Sequence, residues 1–126
     1  MKNTVISIIL FTLVMSFVAY CDYSLNNLTD YIEKQTTEIE DLLKIENYTK
    51  AYETSNKLTK EIKQKRMLLS IYVNHCDFDN IINESIRLTN YIKNKDVSES
   101  NVSVRILYNL SDNINTLHKP NIENIL

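Results

Sequence analysis

The sequence predicts an all-α protein, an N-terminal transmembrane helix followed by an up-down four-helix bundle. Three observations carry that prediction. The 126-residue chain has no glycine and one proline, Pro120, so helix-breaking residues are missing from almost its whole length. Residues 5–20 (VISIILFTLVMSFVAY) contain no charged side chain. Beyond them, apolar residues recur at spacings of three and four, the period of a helix with one buried face.

The N-terminal element spans residues 3–21. As a helix these rise about 28 Å, close to the roughly 30 Å of a bilayer's hydrocarbon core. A cleaved secretory signal has a shorter apolar stretch and small residues three and one before the cut. Here the candidate pairs are Phe17 with Ala19 and Ala19 with Cys21, and neither fits. A lipoprotein signal would end at Cys21, but bulky Tyr20 stands where a small residue is needed. The segment therefore reads as a retained anchor, dividing the chain into residues 1–21 and an extracytoplasmic domain of residues 22–126. Lys2 precedes the apolar run, whereas Asp22, Asp30 and Glu33 follow it. By the positive-inside bias the N-terminus lies in the cytoplasm of a single-pass cell-membrane protein, with Tyr20 and Tyr23 at the boundary.

Four helical segments follow. Leu25, Leu28, Ile32, Ile39 and Leu43 line the first, which follows the anchor with no intervening breaker and can form one rod with it. Asn47 is placed to cap the second, whose inner side carries Tyr48, Ala51, Tyr52, Ser55, Leu58, Ile62, Leu69 and Tyr72. That segment is about ten residues longer than the third, so it is kinked or its end is loop. The pattern breaks around residues 74–77, where Asp77 is the expected cap of a third helix lined by Ile81, Ile82, Ser85, Leu88 and Ile92. Asp96 and Glu99 have capping-box spacing. The fourth helix is expected to bury Val102, Ile106, Leu110, Ile114 and Leu117 and to stop at Pro120. The apolar tail residues Ile122, Ile125 and Leu126 are expected on the bundle end. Short connections make neighbouring helices antiparallel.

Composition excludes several functions. With Lys2 set aside, 13 side-chain cations face 16 acids, so no basic face for nucleic acid is expected. A phosphate-binding loop needs glycines that the chain lacks. Five N-x-S/T triplets, starting at Asn27, Asn47, Asn83, Asn101 and Asn109, read as products of an Asn-rich composition. Cys21 and Cys76 make no disulfide framework. His75, Cys76, Asp77, Asp79 and Glu84 have metal-ligand chemistry but match no closed site, and a helix break between them would separate His75 from Asp79. No cofactor or catalytic constellation is indicated, because neighbours such as His75 and Cys76 rarely face each other as base and nucleophile. Tyr48, Tyr52, Tyr72, Tyr91 and Tyr108 fall on or beside apolar stripes, as core-edge packing requires.

The stretch Ser70-Ile71-Tyr72-Val73-Asn74-His75, then Asp79-Asn80-Ile81-Ile82-Asn83-Glu84, Leu88-Thr89 and Tyr91-Ile92-Lys93, resembles a family of short membrane proteins from clostridia and related bacteria. The opening MKNTVISIILFTLVMSF and closing NIENIL strengthen the resemblance, as do Tyr48 (where relatives carry Trp) and Ala51. The family is a domain of unknown function. The resemblance implies a single-pass protein without assigned activity, and a polytopic membrane protein as its partner.

The leading expectation is a non-enzymatic, membrane-anchored interaction module on the outer face of the cytoplasmic membrane. Its contact residues would be Asn74, His75, Asp79, Asn80, Asn83 and Glu84, a polar cluster at one bundle end. The alternative is an extracytoplasmic ligand- or metal-sensing bundle using the same cluster.

Overall fold

The computed structural model describes residues 1–118, the side chain of His118 excepted. The expectations for Pro120 and for the tail residues Ile122, Ile125 and Leu126 lie outside these residues. Within them the chain forms four helices, α1 (Lys2–Lys44), α2 (Tyr48–Leu69), α3 (His75–Lys93) and α4 (Val97–His118). Neighbouring helices pack in chain order and α4 returns against α1, closing an up-down ring in which α1 and α3 stand diagonally, as do α2 and α4.

The apolar segment and the first bundle helix are one element. α1 is continuous for 43 residues, about 64 Å of helix. Residues 1–20 are exposed throughout, and burial begins abruptly at Cys21. From there Leu25, Leu28, Ile32, Ile39 and Leu43 face the core, as their spacing requires. The free N-terminal half of α1 is long and apolar enough to cross a membrane.

Two of the three connections repeat one device. After α1 the Glu46 N–H reaches the Leu43 carbonyl and the Asn47 N–H the Leu42 carbonyl; after α3, Lys95 and Asp96 do the same to Ile92 and Tyr91. This paired 5→2 and 6→1 closure needs a left-handed residue just beyond the helix, usually glycine. With no glycine in the chain, Glu46 (φ 58°) and Lys95 (φ 57°) take that conformation. The residue after each then caps the next helix: Asn47 Oδ1 accepts from Lys50 N (3.3 Å), and Asp96 Oδ1 from Glu99 N (3.2 Å). The Asp96 N–H is already committed to Tyr91, so Glu99 has no return bond to make and the capping box is half formed.

The third connection departs from expectation. α2 ends at Leu69, so the apparent excess length of the second segment is loop, and Tyr72 lies beyond the helix. α3 starts at His75 with Asn74 as its cap, because Asn74 Oδ1 accepts from Cys76 N (2.9 Å). Asp77 is therefore in the first turn, where its charge complements the helix dipole, and is not the cap.

The fourth helix is rotated from its expected face. Ser100, Ser103, Val104, Leu107, Ser111 and Ile114 are buried, whereas Val102 is 52% and Leu117 72% exposed. Ile106 is also exposed and Leu110 half-buried, so of the expected stripe only Ile114 is fully inside. The cause is a seam of small hydroxyl residues between helices. Ser55 and Thr89 bond across α2 and α3, and Ser103 Oγ donates to Glu84 Oε1 (2.7 Å) across α3 and α4. Ser111 Oγ reaches the Thr29 carbonyl (3.4 Å) across α4 and α1. The seam also explains four of the five N-x-S/T triplets. Two positions along a helix is a 200° turn, so Asn27, Asn83, Asn101 and Asn109 point outward while Thr29, Ser85, Ser103 and Ser111 point in.

Relieving a left-handed side chain stabilises a fold by removing steric cost from its native state. Glu46→Gly should raise unfolding free energy by about 0.5–1 kcal/mol, the left-handed penalty less glycine's extra backbone entropy. Urea titration of the detergent-solubilised protein reads this directly; equal or lower stability would contradict the strain.

Candidate functional site

The end of the bundle from which the apolar segment projects, its base, holds most of the sequence-derived cluster. Three chain segments meet there. Tyr72, in the α2–α3 loop, hydrogen-bonds Asp22 next to the last apolar residues of α1. Its phenol is pushed above its usual 10 first by burial, then by the charges of Asp22 and Cys21. Ser111 meets Thr29 on antiparallel helices, so seven residues on in α4 and seven back in α1, the C-terminal end of α4 reaches the level of Asp22. Val73 and Phe78 plug the interior behind the loop.

Asn74, His75, Asn80 and Asn83 are exposed, so four of the six candidates stand at the surface. Asp79 is half-buried and ion-paired with Arg66 of α2 (3.0 Å). Because α3 is unbroken from His75, His75 and Asp79 do share a face, contrary to the break read from the sequence. Glu84 is not a surface residue. It is 6% exposed and turned toward α4, held by Ser103 and by Arg87 Nη1 (3.3 Å). Cys76, Asn80, Asn83 and Arg87 form the outward strip of α3.

The metal-ligand types around His75 therefore diverge. Among the described residues no three His, Cys, Asp or Glu side chains converge on one point. Both cysteines are free, Cys21 buried and Cys76 exposed. Tyr31 of α1 carries a buried polar atom without a partner, its hydroxyl, as does Asn115 at its Oδ1. The Tyr31 pKa is raised by burial, then by Glu61 and Glu38.

The cluster also has a neighbour that the residue types did not indicate. Rotation of α4 leaves Val102, Ile106 and Leu117 as an exposed apolar strip on the α3 side. A shallow groove lined by Asp77, Leu110, Asn113, Ile114, Thr116 and Leu117 lies at its C-terminal end. The available signal was the serine spacing 100, 103, 111, which marks the inner face only if serine is allowed to be core.

Fold and site together define an all-helical bundle with a projecting apolar helix and a composite polar and apolar face. The chain belongs to the family described as Domain of unknown function (DUF4363), whose model matches residues 19–125. That match spans the whole bundle and only the last turn of the apolar segment. No curated protein matches the chain, and no solved structure does.

A buried carboxylate left without its donor is costly. Ser103→Ala should lower stability by about 1–3 kcal/mol, because Glu84 loses its shortest hydrogen bond. Asn83→Ala, on the exposed face, should change it by less than about 0.5 kcal/mol. Equal effects in a denaturant titration would place Glu84 back at the surface.

Proposed function

We propose that this protein is a single-pass membrane protein whose bundle, on the outer face of the cytoplasmic membrane, is a non-enzymatic interaction module. The continuous α1 carries this reading: one helix is bare and apolar for residues 1–20 and becomes a wall of the bundle from Cys21 onward. A retained segment also suits Cys21, which is fully buried in the folded bundle and poorly placed for a lipid. Lys2 before the apolar run and Asp22 after it support an N-terminus inside and a bundle outside.

The contact face is the outward side of α3 with the adjoining strip of α4. Apolar Val102 and Ile106, flanked by Asn80 and Asn83 of α3, have the apolar centre and polar rim of a protein–protein interface. The partner is an outer segment of a polytopic membrane protein, which the rod α1 would hold within reach of this face.

Topology has a direct readout, because Cys76 is exposed and Cys21 is buried. A membrane-impermeant maleimide should label intact cells through Cys76 and fail on Cys76→Ser. Labelling that appears only after lysis would reverse the orientation. The interaction is tested by affinity purification from detergent-solubilised membranes. A membrane protein recovered with the native chain should be lost with Ile106→Glu, whose side chain is at the surface and whose substitution should leave the bundle folded. Recovery of free monomer alone, under conditions that keep other complexes intact, would refute the module.

A further inference from the structure

The base of the bundle carries exposed apolar side chains from three separate segments at one level. Ile71 in the α2–α3 loop is 74% exposed, Met67 at the end of α2 85%, and Leu117 at the end of α4 72%. Tyr20 and Tyr23 on α1 are 55% and 66% exposed. The Tyr72–Asp22 hydrogen bond sets the loop beside residue 22 of α1. The Ser111–Thr29 contact sets Leu117 at the same height. Met67 lies five residues before Tyr72, so at 1.5 Å per residue these side chains fall within one to two helical turns along the α1 axis.

From these placements we infer that the base itself is a lipid-contacting surface, resting on the headgroup layer with Ile71, Met67 and Leu117 reaching into the bilayer interface. This rests on the reading of residues 3–21 as a membrane span. The occupant follows from continuity: the ring begins where the apolar run of α1 ends, and α1 enters the bundle without a hinge. If residues 3–21 span the bilayer, the first exposed residues beyond them meet the interface whether or not any protein is near. Tyr20 and Tyr23 are the residue type enriched at that depth. Arg66, ion-paired with Asp79, and His75 are exposed beside Met67 and Ile71 and offer hydrogen-bond donors at the height of lipid phosphates. Contact on three sides of the base would clamp the bundle upright, where a single span alone would leave it free to tilt.

The chain contains no tryptophan, so each introduced indole is the sole reporter. Full-length Ile71→Trp, Met67→Trp, Phe11→Trp and Ile45→Trp proteins are reconstituted into phosphatidylcholine–phosphatidylglycerol vesicles. Two vesicle sets are used, with the phosphatidylcholine brominated near the top of its acyl chains for the base positions or near their methyl ends for the mid-span Phe11→Trp. Ile45 is the control, 70% exposed but in the connection at the opposite end of the bundle. Quenched, blue-shifted emission from both Ile71→Trp and Met67→Trp, beside unquenched Ile45→Trp, is the expected result. Quenching of Phe11→Trp with Ile71→Trp and Met67→Trp as unquenched as Ile45→Trp would overturn the lipid-resting base and leave the span intact. Unquenched Phe11→Trp would overturn the span and this inference together.

Discussion

The fold depends on α1 staying helical through Tyr20, Cys21 and Asp22. On one side of that point no side chain is buried; on the other, every third or fourth one is. No glycine or proline interrupts the passage, so there is no local place for the apolar segment to hinge. The bundle in turn holds the second half of α1. Leu25, Ile32 and Ile39 are almost fully buried, each contributing about 1.5–3 kcal/mol relative to exposure. The segment's direction is thereby tied to the packing of three other helices.

Those helices meet through short side chains. Ser55, Thr89, Ser103 and Ser111 let neighbouring backbones approach closely, and their hydroxyls bond across three of the four helix pairs. Thr29, Thr36, Ser85 and Thr89 also return bonds to carbonyls three or four residues back, so the seam is largely satisfied within each helix. The seam fixes which face of α4 turns inward. Once Ser103 is committed to Glu84 and Ser111 to Thr29, Val102 and Ile106 cannot also be inside. An apolar strip on the surface is thus a consequence of how the interior is bonded, and it supplies the feature most useful to a partner.

The polar cluster around His75 was partly legible. Its position at one end of the bundle followed from a break in periodicity, and Asn74, His75, Asn80 and Asn83 are at the surface. Its extent was not legible. Asn74 and Asp77 are both good caps, and only the bond from Cys76 N to Asn74 selects the first, restoring one helix face through His75 and Asp79. Glu84 reads as a surface residue from its charge, and what turned it inward was a serine 19 positions away. The apolar faces of α1, α2 and α3 were readable because leucine and isoleucine dominate them. That of α4 was not, because serine carries no hydrophobic signal and its burial depends on a partner in another helix.

By itself the sequence determined the helical class, the number of helices, the caps at Asn47 and Asp96, and the apolar segment running unbroken into the bundle. These are local matters of propensity, spacing and missing breakers, which act over a few residues along the chain. Only the tertiary structure decided which face of α4 is buried and which members of the polar cluster stay free. These outcomes are set by hydrogen bonds and close approaches between residues far apart in sequence, such as Ser111 and Thr29 or Ser103 and Glu84. No spacing rule within one helix encodes them.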